Sequence, residues 1–157
     1  MRITSRAGFS LVEVCLALGI AAFCLVAIFA LLPIGLRGNL ESSEETMATG
    51  ILSQVAADLA SCPVTKPRGQ TATTSQFAIA IPANPVASES AIPARYFSES
   101  GYDGTTRQPG SQYRVDVTFL TNAATNAATM AYLKASWPAA AAQPTGKVET
   151  LVALDRN

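Results

Sequence analysis

The sequence predicts an α+β protein, with one long N-terminal helix followed by an antiparallel sheet of about four strands. Three observations carry that expectation. No charged residue occurs from Val14 to Leu36, apolar residues then recur at helical spacing as far as Leu59, and the C-terminal half alternates apolar and polar residues with a period of two.

Composition narrows the function classes. The 157 residues hold 11 Lys+Arg against 11 Asp+Glu, so no electrostatic footprint for nucleic acid stands out. Removing Arg2 and Arg6 with a leader would make the balance mildly acidic, which argues further against nucleic acid as a partner. Histidine is absent, which removes the commonest general base and metal ligand. Cys15 and Cys24 lie in the apolar run and Cys62 stands alone beyond it, so packing and sheet pairing, not a disulfide, must hold the C-terminal part together.

As a helix, the stretch from Val14 to Leu36 would span roughly 35 Å, enough to cross a bilayer core of about 30 Å. Arg2 and Arg6 precede it, whereas Glu41, Glu44 and Glu45 follow soon after Arg37. Positive-inside bias then leaves the N-terminus cytoplasmic and the bulk of the chain outside, in the periplasm. The apolar run is long for a secretory signal and passes into "LLPIGLRG" without a good cleavage site. Phe23 before Cys24 and Val14 before Cys15 do not suit a lipoprotein signal.

A third processing route places the cut ahead of the apolar run. The stretch "GFSLVEV", behind a short basic leader, resembles the class III signal of type IV pilins and type II secretion pseudopilins. That resemblance implies cleavage after Gly8 by a prepilin peptidase, methylation of the new N-terminal Phe9, and Glu13 as the fifth mature residue. The implied organisation is a leader over residues 1–8, a transmembrane helix over 9–36, an amphipathic continuation over 37–61 and an extracytoplasmic sheet domain over 62–157. Within this superfamily, "SLVEVCLALGIAAF", "LLPIGL", "YFSESG" and the late "SWP" are most similar to minor pilins of the type IV pilus modification protein V kind. More narrowly, they resemble the cassette protein B group of Verrucomicrobia.

Glu13 is the residue that most needs an explanation. A carboxylate inside a membrane helix costs about 2.5–3.5 kcal/mol on insertion scales and implies a partner. The family resemblance supplies one: in pilin filaments the matching Glu is thought to pair with the α-amino group of a neighbouring subunit, here mature Phe9. The alternative is snorkelling to the cytoplasmic headgroups, which its place near the end of the run permits.

Pro33, Gly35 and Gly38 predict a helix break near the outer boundary, because proline removes a backbone hydrogen bond and clashes with the preceding turn. A fixed kink and a segment that melts on assembly both satisfy the sequence; the second is what the family resemblance implies. Beyond them Leu40, Met47, Ile51, Val55 and Leu59, with Leu52 beside them, mark one apolar helical face ending at "SCPVTKPRG". A nearly continuous helix from Phe9 to Ser61 would be roughly 80 Å long.

The cover for that face comes from the alternating segments. Phe77, Ile79 and Ile81 share a side of "QFAIAIP"; Tyr113, Val115, Val117 and Phe119 alternate with Arg114, Asp116 and Thr118. Leu133, Ala135 and Trp137 share a third strand face, and Val148, Thr150, Val152 and Leu154 a fourth. "YDGTTRQPG" and "AAAAQPTG" read as turns, and "TNAATNAATMA" as a flexible hairpin connection. "ARYFS" reads as a strand or the edge of a variable loop, with Pro82, Pro85 and Pro93 against a central strand.

Chemistry is sparse. Glu99, Asp103 and Asp116 carry no sign of a shared site, and Asp103-Gly104 is a turn signal. The dense acidic spacing of a calcium loop is missing. Serine, threonine and cysteine lack a histidine base or a nucleophile elbow. Cys62 reads as a reactive thiol or as a small buried residue at the helix end, and Tyr132 and Trp137 as a binding surface or as packing. No enzyme activity, metal or cofactor is expected. The leading expectation is a minor pilin or pseudopilin subunit of a type IV pilus or type II secretion-like filament. Its partners would be the prepilin peptidase, other pilin subunits and inner-membrane lipid. The alternative is a stand-alone single-pass exported ligand-binding protein. A DNA-uptake pilin would need Arg95, Arg107, Arg114 and Lys134 gathered on one surface.

Overall fold

The computed structural model describes residues 8, 10–62, 71–124 and 127–154. Phe9, Pro63 and Pro67, on which sequence expectations fell, lie outside the described residues. The chain divides into two compact units, Met1–Ser42 and Ser43–Asn157, with the boundary inside the helix α1 (Leu11–Ser61).

In the first unit α1 exposes apolar side chains on every side, from Leu11 at 81% and Phe23 at 76% to Phe29, Leu31 and Leu36. A helix that is apolar all round has no water-facing stripe and needs lipid or other helices around it. By length and composition α1 can cross a membrane. It also runs without interruption through Pro33, Gly35 and Gly38, where the sequence predicts a kink or melted turn. The missing proline donor removes one bond of the ladder, and the helical conformation continues on either side of it.

In the second unit the C-terminal part of α1 buries a single stripe: Ala48, Ile51, Leu52, Val55 and Leu59. Leu40 and Met47, predicted on the same stripe, are exposed, so the covered face begins at Ala48. It joins one hydrophobic core with Phe77, Phe97, Val115, Phe119 and Leu133.

The cover is larger than expected. β1 (Ala72–Thr73) and β2 (Ala80–Ile81) form a two-stranded ladder. β3 (Ser90–Ala91), β4 (Arg95–Ser98), β5 (Gly101–Gly104), β6 (Tyr113–Phe119), β7 (Thr129–Trp137) and β8 (Gly146–Leu154) form a six-stranded antiparallel sheet. Its order is β5-β4-β6-β7-β8, and β3 pairs with β6 through Ser90↔Phe119 and Ala91↔Thr118. The sheet has six strands where about four were expected: β6, β7 and β8 are three of the expected ones, and the fourth, in "QFAIAIP", supplies β2 of the separate ladder. β3 and β5 have no alternation of their own and exist because neighbours offer unpaired backbone.

One local expectation is decided and two are corrected. Of the two readings of "ARYFS", the strand is the one observed and the loop edge is not: it is an interior strand, paired on one side with β5 and on the other with β6. Asp103-Gly104 lies in β5 and not in a turn; the β4–β5 turn falls on Glu99 and Ser100, and Gly101 and Gly104 at the two ends of β5 have φ of 128° and 115°, which suit glycine. Within "QFAIAIP" the side chains of Phe77, Ile79 and Ile81 are all buried, yet only Ala80 and Ile81 are strand. Ala78 has a φ of 49°, which breaks the ladder there.

Two buried charged groups fix that break. Asp58, 4% exposed near the end of α1, accepts the N–H of Gln76 at 3.1 Å and of Phe77 at 3.0 Å. Arg95, also 4% exposed, donates to the carbonyls of Phe77 and Ala78, each at 2.8 Å, and to Pro93 at 2.7 Å. A left-handed alanine costs about 1–2 kcal/mol, whereas each bond to a charged group contributes roughly 1.5–3 kcal/mol, so the clamp outweighs the strain.

The described residues on either side of 125–126 in "TNAATNAATMA" are tied together through Asn122. Asn122 is buried, donating from Nδ2 to Asn84 Oδ1 at 3.2 Å and to the carbonyls of Ala127 and Ala128 at 3.1 Å. Its Oδ1 accepts the N–H of Ala124 at 3.0 Å.

Asp58→Ala removes two buried acceptors while leaving both N–H groups in place, so it is expected to lower the stability of the full chain in detergent by about 2–4 kcal/mol. Trp137, the one tryptophan of the sequence, reports unfolding by fluorescence; a loss below about 0.5 kcal/mol would show that the clamp contributes little.

Candidate functional site

Gly8, Ser10 and Glu13 lie at the start of α1. Gly8 and Ser10 are non-helical and exposed, and the ladder opens with Val14 N–H donating to Ser10 O at 3.2 Å. Ser10 thus stands at the N-cap and Glu13 three residues on, in the first turn, the spacing of a capping box. Sequence reasoning missed this second role for Glu13, although "SLVE" carries it. The size of the effect decides between explanations. An acid in the first turn gains roughly 0.3–1 kcal/mol from the helix dipole, well short of the 2.5–3.5 kcal/mol for placing it in a membrane core. Capping explains why a carboxylate is tolerated at the helix start, but it does not offset membrane burial. Glu13, Val14, Ala17, Leu18 and Ala21 line a shallow groove, since the two alanines follow Glu13 at one-turn intervals.

The remaining candidates do not converge into a reaction centre. Asp103 accepts Ser98 Oγ at 2.9 Å and Ser111 Oγ at 2.6 Å, and it braces the β4–β5 hairpin. Asp116 pairs with Arg114 at 2.8 Å on the outer sheet face, and Glu99 receives only a long 3.4 Å bond from Gln112. No group of three or more His, Cys, Asp or Glu suited to a metal occurs among the described residues. Cys62 is half-buried against the core, with its Sγ donating to Thr73 O at 3.1 Å, which fits a packing role. Of the four basic residues that a DNA surface would need, Arg95 is buried in the clamp and Arg114 is paired. Lys134 lies between Asp116 and Glu149 in the sheet register.

Tyr132 and Trp137 fall on opposite faces of β7 and so share no surface. Trp137 is buried, its Nε1 donating to Glu44 Oε2 at 2.8 Å, and it ties the sheet to the helical stripe. It lies directly over Gly146, its register partner, where a Cβ would run into the indole. This tryptophan–glycine pair and the Glu44 bond depend on strand register and escaped the sequence. Asp58 did leave a signal, an acid set on the buried stripe three residues after Val55.

On the outer face Glu149 accepts from Lys147 at 3.1 Å, with the Tyr132 hydroxyl as a second influence on its carboxyl. These two groups, Lys147 first, hold its carboxyl below the usual range. Burial, then Glu149 itself, pushes the Tyr132 phenol up. The Tyr113 phenol is likewise raised, by burial and then by Glu44 and Glu99.

Compared with protein-family models, curated proteins and solved structures, the chain matches none.

Lys147→Ala removes the larger cause of the Glu149 shift, so the Glu149 carboxyl is expected to titrate at higher pH in the variant. Because the folded value is depressed, the stabilisation by this group is present above the unfolded carboxylate range and is lost as pH falls through the folded one. Side-chain carboxyl NMR of the two proteins checks this; an unchanged midpoint would show that Lys147 does not hold Glu149.

Proposed function

We propose that the chain is a minor pilin or pseudopilin subunit, processed after Gly8 by a prepilin peptidase and assembled into a filament through the apolar half of α1. The observation that carries this reading is the division of one uninterrupted helix. Its first unit is apolar on every side, and its continuation buries only the Ala48–Leu59 stripe in a sheet domain. Such a helix needs two environments, and a membrane-stored subunit that later packs among like helices provides both.

The residues take the following roles. Gly8 and Phe9 form the cleavage junction, with Gly8 ahead of the helix where an extended substrate can enter a protease. Glu13 pairs with the α-amino group of Phe9 on a neighbouring subunit. The groove made by Ala17 and Ala21 lets another helix approach beside that carboxylate. Pro33, Gly35 and Gly38 are the weakest part of α1 and the place where it opens if filament packing demands it. Arg2 and Arg6 keep the N-terminus in the cytoplasm, and the sheet domain then lies on the periplasmic side of the inner membrane. No step of this function asks the chain for catalysis.

Glu13→Ala separates processing from assembly. In cells with a prepilin peptidase and partner subunits, the variant is expected to be cleaved normally. Leaving one member of a buried pair uncompensated costs about 3–5 kcal/mol, so its share in sheared filaments should fall at least about a hundredfold. Incorporation equal to that of the unmodified chain would remove the registry role.

A further inference from the structure

A cleft of about 270 Å³ opens where the helical stripe of the second unit meets the β4–β5 hairpin. Phe77 and Phe97 lie along it, with Met47 and Ile51 from α1. Tyr102, 38% exposed, is held there by an edge contact with Phe77, ring centroids 5.2 Å apart, and a tilted contact with Phe97 at 5.3 Å. The two phenylalanines are themselves 5.5 Å apart at 64°. An exposed aromatic ring wedged in this way is preorganised, and binding against it needs little further ordering of the ring.

Polar groups surround the ring. The side-chain amides of Gln54 and Gln76 make no hydrogen bond among the described residues, and each offers two donors and an acceptor. The hydroxyls of Ser98 and Ser100 lie 2.8 Å apart, and Glu99 adds a carboxylate with one long internal bond. Among the described residues no lysine or arginine lines the cleft. One acid without a cation disfavours phosphate, carboxylate or nucleic-acid ligands and leaves neutral ones. A volume below the usual ~300–1,000 Å³ of ligand pockets limits the occupant to a small molecule or one ring of a larger one.

A protein strand is a poorer fit. β5 is four residues long, bends at two positive-φ glycines and slips register against β4 between Tyr96 and Phe97. It makes a weak template for strand addition.

We infer that this cleft binds a neutral pyranose ring, with its C–H face against Tyr102 and its hydroxyl edge hydrogen-bonded by Gln54, Gln76 and Glu99. The combination of a fixed aromatic ring, free amides and a single carboxylate matches a ligand that is apolar on one face and rich in hydroxyls at its rim. Such binding does not depend on processing at Gly8 or on filament entry.

The test uses the full chain in a detergent without a sugar headgroup, titrated with methyl β-D-glucopyranoside, whose ring carries all its C–H bonds axially. The expected result is a saturable shift of the Tyr102 and Phe97 ring NMR signals in the millimolar range. Sorbitol, which has the hydroxyls without a flat C–H face, and glucuronate, which adds a negative charge, should bind at least about tenfold more weakly. Tyr102→Ala should abolish the shift at Phe97, Gln54→Ala should weaken binding several-fold, and Tyr102→Phe should retain it. Unchanged Trp137 fluorescence in these variants shows that the sheet domain remains folded. Absence of a saturable shift, equal shifts with sorbitol, or undiminished binding by Tyr102→Ala would overturn the inference. Saturable binding of N-acetyl-leucinamide without binding of the glucoside would also overturn it and assign the cleft to a protein side chain.

Discussion

The structure of the second unit depends on burying one stripe of α1, Ala48 to Leu59, under the inner face of the sheet. Four large apolar side chains of that stripe, each worth roughly 1.5–3 kcal/mol when fully buried, are the helix's share of a core that β6 and β7 complete. Where the stripe stops, so does the cover: Met47 and Leu40 are exposed. The helix of the first unit has no comparable stripe, and by length and composition it could cross a membrane.

Polar groups finish what the stripe begins. Asp58 accepts the N–H groups of Gln76 and Phe77 while Arg95 donates to the carbonyls of Phe77 and Ala78, so a strained, exposed alanine persists at the edge of the core without a carboxylate–guanidinium pair. Glu44 performs a lighter version of the same task by receiving Trp137, and Gly146 makes room for that indole. Buried polar groups fix register and position at modest net gain, and losing one partner costs far more than the pair contributes. The pairing proposed for Glu13 follows the same physics between chains, with the low dielectric of packed helices in place of a protein core.

The long helix and strands β6, β7 and β8 were legible because their periodicity reflects burial directly: Tyr113, Val115, Val117 and Phe119 point inward, and Arg114 and Asp116 outward. β3 and β5 were not, since Ser90–Ala91 and Gly101–Gly104 become strands through pairing and carry no pattern of their own. The reading of "QFAIAIP" succeeded for burial and failed for backbone, because Ala78 turns left-handed under a clamp whose parts lie far away in sequence. Proline chemistry at Pro33 predicts a kink or a locally melted turn, and α1 carries Pro33 in its interior without ending there. At the N-terminus the sequence was the richer source. The processing proposed for Gly8, Phe9 and Glu13 rests on the sequence resemblance; the structure shows an N-cap at Ser10 and a groove beside Ala17.

The central claim is that the chain enters the pilin pathway at Gly8. The most direct measurement is the intact mass and N-terminal peptide of the membrane-extracted protein, made in cells with a prepilin peptidase. A chain that begins with N-methylated Phe9 is the predicted result. A chain that keeps Met1 to Gly8 would contradict it and favour a single-pass membrane protein whose sheet domain acts alone.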